Sequence, residues 1–137
     1  MSMPAGEYYI GDLCYVMTNE EWEDFCEITT DGYKCLSGEF QMPDGRKFAT
    51  YKTAYGDGEY YDQLGKRYCV DAGLIGCMKV EDIRANKYDD IERLGSIYHF
   101  GFDFATGGTK GMLRFGHVEI DTDPTDYEPD YEDEYNG

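Results

Sequence analysis

The hydrophobic positions of the chain follow a helical period in one segment near the N-terminus. In residues 19–28 (NEEWEDFCEI), Trp22 and Phe25 lie three positions apart among acidic residues, a spacing that is typical of an amphipathic helix. Thr18 directly precedes this segment, and Glu21 lies three residues after Thr18. This spacing is the capping-box pattern at a helix start. We therefore predict one helix over residues 19–28, with Trp22 as an anchor in the core.

From Gly32 onward the pattern changes to short β-prone runs separated by turn residues. We predict one hairpin around Pro43-Asp44-Gly45 and a second around Leu64-Gly65, because these residues favour tight turns between strands. The run GLIGCMKV at 73–80 is apolar enough for a central strand. A third hairpin is predicted from SIYHFGFDF (96–104), a turn at Thr106–Thr109, and MLRFGHVEI (112–120).

Three segments give further local predictions. In residues 96–104, Tyr98, Phe100, Phe102 and Phe104 alternate with other residues, so we expect all four rings to face the core. Residues 7–17 contain two β-prone runs broken by Gly11-Asp12. Residues 80–95 are polar and favour one or two short helical turns.

Together these elements predict a mainly β fold of the α+β type. We expect an antiparallel sheet of seven to nine short strands, curled into a barrel or sandwich, with the helix near the N-terminus against one face. Strands and helices do not alternate regularly, which argues against a doubly wound parallel sheet. Residues 1–120 are predicted as a single globular domain, and residues 121–137 as an extended acidic tail with Tyr and Pro.

The net charge of the 137-residue chain limits the classes of partner that it can bind. Twelve Lys+Arg oppose 29 Asp+Glu, giving a formal charge of −17. Such a charge repels phosphates, so we expect no direct nucleic-acid binding and no attraction to anionic membranes. No apolar run approaches the ~18 residues of a transmembrane helix, and the N-terminus lacks the features of a signal peptide. We therefore expect a cytoplasmic protein.

Five cysteines form no Cys-x-x-Cys pair. In a reducing compartment this pattern predicts buried free thiols rather than disulfides or a zinc site. We expect no cofactor and no bound metal.

Three aspartates lie beside glycines, in Gly11-Asp12, Gly56-Asp57-Gly58 and Asp71-Ala72-Gly73. Such an aspartate either bonds its own turn or projects a carboxylate into a ligand site. If the three turns converge, their carboxylates would accept hydrogen bonds from a base, a ribose or a guanidinium group. Two tyrosines beside Asp57 would stack on a ring, and nearby cations would hold a phosphate. The predicted ligand-binding residues are Asp12, Tyr55, Asp57, Tyr60, Arg67 and Asp71.

Tyrosine is abundant on or beside the predicted strands. If about half of these rings face solvent, they form a surface that stacks on bases or anchors a protein partner; the alternative is that tyrosine simply suits strands. The tyrosines are Tyr8, Tyr9, Tyr15, Tyr51, Tyr55, Tyr60, Tyr61 and Tyr68.

The two histidines offer an enzymatic alternative. His99 and His117 lie on strands predicted to neighbour each other in the third hairpin. Together with Asp103 or Glu119 they would bind a metal ion, although a structural histidine is the more common case.

Three segments carry a family resemblance: PAGEYYIGDLCYVM (4–17), TAYGDGEYYDQLGKRYCVDAGLIGCM (53–78) and the pair SIYHFGFDF with MLRFGHVEI. They resemble a family of small, uncharacterised proteins of tailed bacteriophages. YCVDAGLIGCM is also similar to a segment of bacterial DUF4241-like domains. The resemblance implies an accessory protein, of phage origin, that acts in the cytosol of an infected bacterium, and it implies no chemistry.

Three functional hypotheses follow. The first is a phage accessory protein that counters host defence by sequestering a small nucleotide-like signal, without catalysis, as a homo-oligomer with the site at its interface. The five cations between Arg46 and Arg67 would hold the phosphate of such a ligand. The second is an acidic inhibitor that mimics nucleic-acid charge and binds a basic host protein. The third is a metal-dependent hydrolase that uses His99 and His117.

Overall fold

The computed structural model describes residues 2–32, 34–83, 94–109 and 111–122. Within these residues the chain forms one α-helix, α1 (Asn19–Ile28), and twelve strands. The strands are β1 (Gly6–Gly11), β2 (Thr30–Asp31), β3 (Lys34–Cys35), β4 (Gly38–Gln41), β5 (Lys47–Lys52), β6 (Gly58–Tyr61), β7 (Arg67–Val70), β8 (Leu74–Lys79), β9 (Ser96–Phe100), β10 (Thr106–Thr109), β11 (Met112–Phe115) and β12 (Val118–Asp121).

The strands form antiparallel sheets, as the sequence predicts. The largest has five strands in the order β4-β5-β8-β1-β9, with β8 at its centre, which confirms the central strand predicted at 73–80. The hairpins β4–β5 and β6–β7 are confirmed at their predicted turns. A three-stranded sheet, β10-β11-β12, and the short β2–β3 pair complete the described strands. The fold is mainly β with one helix, and the sheets do not close into a barrel.

The five-stranded sheet buries side chains on both faces. One face presents Ile10 and Cys77 to the three-stranded sheet, in a core that also holds Leu113 and Phe115. The other face presents Phe48 to α1 and to the segment between β1 and α1. Because successive residues of a strand point to opposite faces, the inner strands β1, β5 and β8 each supply both cores. The sheet is therefore the middle layer of the molecule.

Helix α1 begins and ends where the sequence predicts. The Thr18 hydroxyl accepts a hydrogen bond from the Glu21 amide (3.1 Å), and the Glu21 carboxylate accepts one from the Thr18 amide (2.9 Å). Phe25 is the buried residue of the helix. Trp22 stacks on Phe25 with ring centroids 4.5 Å apart but remains half-buried. The helix is therefore held to the sheet by a narrow apolar stripe.

The prediction of two strands in residues 7–17 is wrong in its second half. After β1 the chain forms a 3-10 turn at Leu13–Val16. The Asp12 carboxylate caps this turn by accepting a hydrogen bond from the Cys14 amide (3.0 Å). This local bond favours a turn over a second strand.

The predicted third hairpin is also wrong. Residues Thr106–Thr109, predicted as a turn, form β10 and pair with β11. Residues 112–120 divide into β11 and β12 at Gly116, whose φ of 62° reverses the chain. Strand β9 ends at Phe100, so the alternation of side chains stops there. Phe102 is consequently 85% exposed rather than buried.

The ends of several predicted segments differ from expectation. Val80–Asp82 forms a short 3-10 turn, and the rest of the helical prediction for 80–95 lies mostly outside the described residues. Strand β12 includes Asp121, and Thr122 is fully buried, so the first two residues of the predicted tail belong to the fold. Residues 123–137 lie outside the described part.

The cysteines are only partly as predicted. Cys77 is buried, Cys14 and Cys69 are half-buried, and Cys26 is exposed on α1; none of the four forms a disulfide. Burial of Cys26 was therefore a wrong prediction, because its position lies outside the narrow stripe through which α1 contacts the sheet. Over the described ranges, no helix has the length and apolar character needed to cross a membrane.

Candidate functional site

The glycine-flanked aspartate turns meet at one corner of the fold. The Asp12 carboxylate accepts hydrogen bonds from the backbone amides of Asp71 (2.8 Å) and Ala72 (2.6 Å). The Thr53 amide donates to the Gly73 carbonyl (3.1 Å), and the Thr53 hydroxyl donates to the Gly56 carbonyl (2.7 Å). These bonds join the turn at 71–73 to the turn at 56–58, and we call this region the aspartate corner.

The three carboxylates of the aspartate corner have different roles. Asp12 is fully buried, and both of its oxygens accept backbone hydrogen bonds from Cys14, Asp71 and Ala72. Asp12 therefore holds the corner in place and does not face a ligand. Asp57 and Asp71 are exposed on the same corner. Gly73, with φ of 80°, makes the close approach between the two turns.

The remaining predicted ligand-binding residues are not equivalent. Tyr60 is buried, and its hydroxyl donates to the Gly56 carbonyl (2.9 Å), so its ring supports the corner from within the core. Tyr55 is 59% exposed beside the same turn. Arg67 lies on the β6–β7 hairpin with its guanidinium 3.8 Å from the Glu59 carboxylate. The structure thus brings the aspartates and Tyr60 together and gives Arg67 a different partner.

The predicted tyrosine surface is largely wrong. Only two of the eight tyrosines considered, Tyr55 and Tyr61, are exposed. The other six are buried, because the strands and turns that carry them pack their side chains into the two cores. They are Tyr8, Tyr9, Tyr15, Tyr51, Tyr60 and Tyr68.

A cavity of about 230 Å³ lies between α1 and the sheet, next to the aspartate corner. We call it the helix cavity. It arises where the narrow stripe of α1 faces the small side chains of the corner. The helix supplies its aromatic wall, β5 supplies its polar groups, and the corner supplies its small residues. The lining residues are Trp22, Phe25, Cys26, Thr29, Thr30, Leu36, Thr50, Lys52, Ala72, Gly73 and Leu74.

Thr50 is the unusual member of this lining. It is 1% exposed, and its hydroxyl has no hydrogen-bond partner in the part of the chain that the structure describes. A buried polar group without a partner costs about 1–3 kcal/mol, so most such groups in proteins are satisfied. Thr50 therefore places an unused donor and acceptor in the wall of the helix cavity.

The helix cavity has one cation, Lys52 of β5, which is exposed. Two of the other predicted phosphate-binding residues lie elsewhere. Arg46 is paired with Glu21 (2.6 Å) and Asp44 (2.8 Å), and Lys47 points to the opposite face of the sheet from Thr50. The cavity can therefore accommodate a flat ring and one anionic group, but it lacks the charge to hold several phosphates.

Sequence reasoning did not single out Thr50 or Lys52 as a pair. The sequence nevertheless contained a signal. Every second residue of β5 lies on the same face, and on that face the apolar Phe48 is followed by the polar Thr50 and Lys52. Trp22 was predicted as a core anchor, and its actual half-buried position makes it a wall of the cavity.

The histidines do not lie on paired strands. His99 is on β9, whereas His117 is in the turn between β11 and β12. Both line a shallow depression of about 320 Å³ that also contains Asp103, and the His117 ring packs against Phe100 at 5.4 Å. Within the described ranges, no group of three or more His, Cys, Asp or Glu side chains is arranged to hold a metal ion.

A second buried aspartate, Asp62, was missed by the sequence analysis. Its carboxylate accepts hydrogen bonds from the Tyr68 and Tyr98 hydroxyls (2.7 and 2.9 Å) and from the amides of Leu64 and Lys66 (2.9 and 3.0 Å). Burial opposes its ionisation, but these hydrogen bonds outweigh burial and lower the pKa of Asp62. With every oxygen satisfied, this group stabilises the β6–β7 hairpin rather than binding a ligand.

Comparison of the chain with protein-family models found no match. Comparisons with curated proteins and with solved structures found no match either.

Proposed function

We propose that the protein binds, without transforming, a small ring-containing ligand of the nucleoside class in the helix cavity. The observation that carries this proposal is the buried Thr50 hydroxyl, which lacks a partner among the described residues and lines the cavity beside Trp22. A ligand that hydrogen-bonds this hydroxyl would remove its desolvation cost. Binding would thereby supply the interaction that the folded chain lacks.

The size and charge of the helix cavity define the ligand class. About 230 Å³ is below the 300–1,000 Å³ of ordinary ligand pockets, so it admits one ring system rather than a cyclic dinucleotide. Trp22 and Phe25 provide apolar contact for a ring, and Lys52 provides one charge-assisted bond. Asp57 and Asp71 at the adjacent corner disfavour additional phosphates and suit hydroxyl or amino groups.

The wider context remains as the resemblance implies it. A phage accessory protein that sequesters a host signal would need binding and no catalysis, which agrees with the proposed site. The predicted cytoplasmic location, host-defence role and homo-oligomeric state stay predictions.

The proposal is tested by calorimetry and thermal unfolding with nucleosides, their 5′-monophosphates and cyclic dinucleotides. We expect a nucleoside or monophosphate to raise the melting temperature, because ligand at 100 times its dissociation constant adds about 2.7 kcal/mol. Cyclic dinucleotides should give no shift. If no nucleoside or monophosphate binds, or if cyclic dinucleotides bind best, the proposed ligand class is wrong.

Cys26 offers an independent readout at the site. It is exposed and lines the helix cavity, so bound ligand should slow its alkylation by iodoacetamide, followed by mass spectrometry. Cys69 lies outside the cavity lining and serves as the internal control. Equal protection of both thiols would indicate a global stabilisation instead of occupancy of the cavity.

A matched pair of lysine variants tests the charge assignment. Lys52→Gln should weaken a monophosphate without affecting its nucleoside, whereas Lys66→Gln, which lies outside the cavity, should change neither. An equal loss for both variants would show that the anion is attracted by general charge rather than by Lys52.

The acidic-inhibitor hypothesis is separated from this proposal by truncation. Thr122 is buried and hydrogen-bonded to Ala54 and Gly111. The truncated variant should therefore end at Thr122 rather than at residue 120. Loss of residues 123–137 removes seven carboxylates and no base, which changes the formal charge from −17 to −10. The inhibitor hypothesis predicts weaker binding to a basic protein such as lysozyme, while ligand binding in the helix cavity should not change.

A further inference from the structure

A second depression, of about 390 Å³, lies at the opposite end of β5 and β8 from the helix cavity. We call it the lysine depression. It brings Arg46, Lys47 and Lys79 together with three carboxylates, those of Asp44, Glu81 and Asp82, in a protein whose net charge is −17. Its lining residues are Pro4, Tyr8, Asp44, Gly45, Arg46, Lys47, Lys79, Glu81 and Asp82.

Two lysines in this depression oppose each other across neighbouring strands. Phe48 of β5 pairs with Met78 of β8, and Lys47 and Lys79 are the next residues outward in the same register. Both are half-buried, and within the described residues neither forms an ion pair. Like charges directly opposite each other on a sheet are destabilising, so this arrangement costs stability unless an anion lies between them.

The packing around Lys79 keeps it in this position. A Cβ on Gly6 would lie 3.1 Å from Lys79 Cε, so the glycine of β1 leaves the room that the lysine side chain occupies. Tyr8, which pairs with Lys79 across β1 and β8, donates its hydroxyl to the Pro4 carbonyl (2.7 Å). The Lys79 ammonium group therefore lies close to the Gly6 backbone.

The other charges of the depression limit what it can hold. Arg46 is engaged by Glu21 and Asp44 and donates to the Asp82 carbonyl (3.0 Å), so that cation is already neutralised. The carboxylates of Glu81 and Asp82 remain and offset the two lysines. The depression can therefore hold one phosphate group at a time, and its carboxylates disfavour a polyphosphate.

We propose that Lys47 and Lys79 form a binding site for one phosphate group, either inorganic phosphate or a phosphate monoester. Because the whole protein repels anions, affinity for phosphate must come from a local group of cations. A phosphate between Lys47 and Lys79 would be attracted by both and would relieve their mutual repulsion. The site is independent of the helix cavity, since Lys47 and Thr50 lie on opposite faces of β5. Failure of one site would leave the other unaffected.

The test is thermal unfolding and isothermal titration of the full chain with inorganic phosphate and glycerol 3-phosphate at constant ionic strength, set with sodium chloride. We expect a saturable rise in melting temperature for the wild-type protein. The double variant Lys47→Gln/Lys79→Gln should lose at least tenfold in phosphate affinity. Lys66→Gln, which lies outside both the lysine depression and the helix cavity, is the control and should bind phosphate normally.

Two results would overturn the proposal. If the rise in melting temperature does not saturate with phosphate concentration, or if it is equal in the wild-type protein and the double variant, the response is a general salt effect. For the wild-type chain, phosphate should slow acetylation of Lys47 and Lys79 but not of Lys66, as measured by mass spectrometry. Equal acetylation rates with and without phosphate would contradict the site even if the double variant failed to fold. The glycerol 3-phosphate arm shows whether the site accepts an ester as well as the free ion.

Discussion

Replacing Thr50 by valine should make the protein more stable while weakening its ligand. Valine keeps the shape of threonine and its preference for strands, and it removes a hydroxyl that is buried without a described partner. Such a hydroxyl costs about 1–3 kcal/mol. Allowing for imperfect packing of the new methyl group, we expect a gain of about 1 kcal/mol, which is roughly 4 °C in melting temperature for a domain of this size.

The matched control for Thr50→Val is Thr122→Val. Thr122 is also fully buried, but its hydroxyl donates to the Gly111 carbonyl (2.6 Å) and accepts from the Ala54 amide (2.9 Å). Removing this hydroxyl leaves the Ala54 amide and the Gly111 carbonyl without their partner. The loss should cost about 1–3 kcal/mol of stability. Urea unfolding of both variants measures the difference.

Ligand affinity is the second half of this prediction. Loss of one hydrogen bond is worth about 0.5–1.5 kcal/mol, so a ligand that bonds Thr50 should bind Thr50→Val roughly two- to thirteenfold more weakly. If Thr50→Val is destabilised as strongly as Thr122→Val, then the Thr50 hydroxyl already has a partner. In that case Thr50 offers no unused hydrogen bond to a ligand, and the proposed ligand site in the helix cavity is wrong.

Three further predictions concern the residues that hold the fold. Thr18→Ala removes the helix cap and should cost about 1 kcal/mol, measured by urea unfolding; no loss would mean that the capping box does not stabilise α1. Asp12→Asn leaves backbone amides of the aspartate corner without a charged acceptor and should cost on the order of 2 kcal/mol, with a larger loss of ligand binding than at Thr18; equal binding would argue against a role for the corner in the site. Asp62 has a lowered pKa, so its contribution to stability is present above the unfolded pKa of about 4 and disappears as the pH falls through the lower folded value. Acid unfolding of Asp62→Asn should lack this component, and an unchanged pH profile would refute the assignment.

Much of the local structure was determined by sequence. The helix at 19–28 formed as predicted because Thr18 and Glu21 satisfy each other's backbone amides within four residues. The hairpins at Pro43-Asp44-Gly45 and Leu64-Gly65 were equally local, since their turns select the pairing of adjacent strands. Predictions failed where alternation was extended past the end of a strand, as at Phe102.

The candidate site could be located only in part. The glycine-flanked aspartates were found from sequence, and they do lie together. Their division of roles, with Asp12 buried under the turn that contains Asp71, depends on hydrogen bonds between residues about 60 positions apart. No periodicity in the sequence specifies such bonds.

By itself, the sequence determined the elements whose stabilising contacts are short-range: the helix with its cap, the tight turns and the apolar central strand. Tertiary structure decided which polar side chains remained available to bind a ligand. A side chain is available only if no distant segment of the folded chain already forms a hydrogen bond or an ion pair with it. Asp12 and Tyr60 found partners in the corner, whereas Thr50 and the Lys47–Lys79 pair found none among the described residues. That difference arises from the packing of α1 and the order of strands in the sheet, and it places both proposed sites.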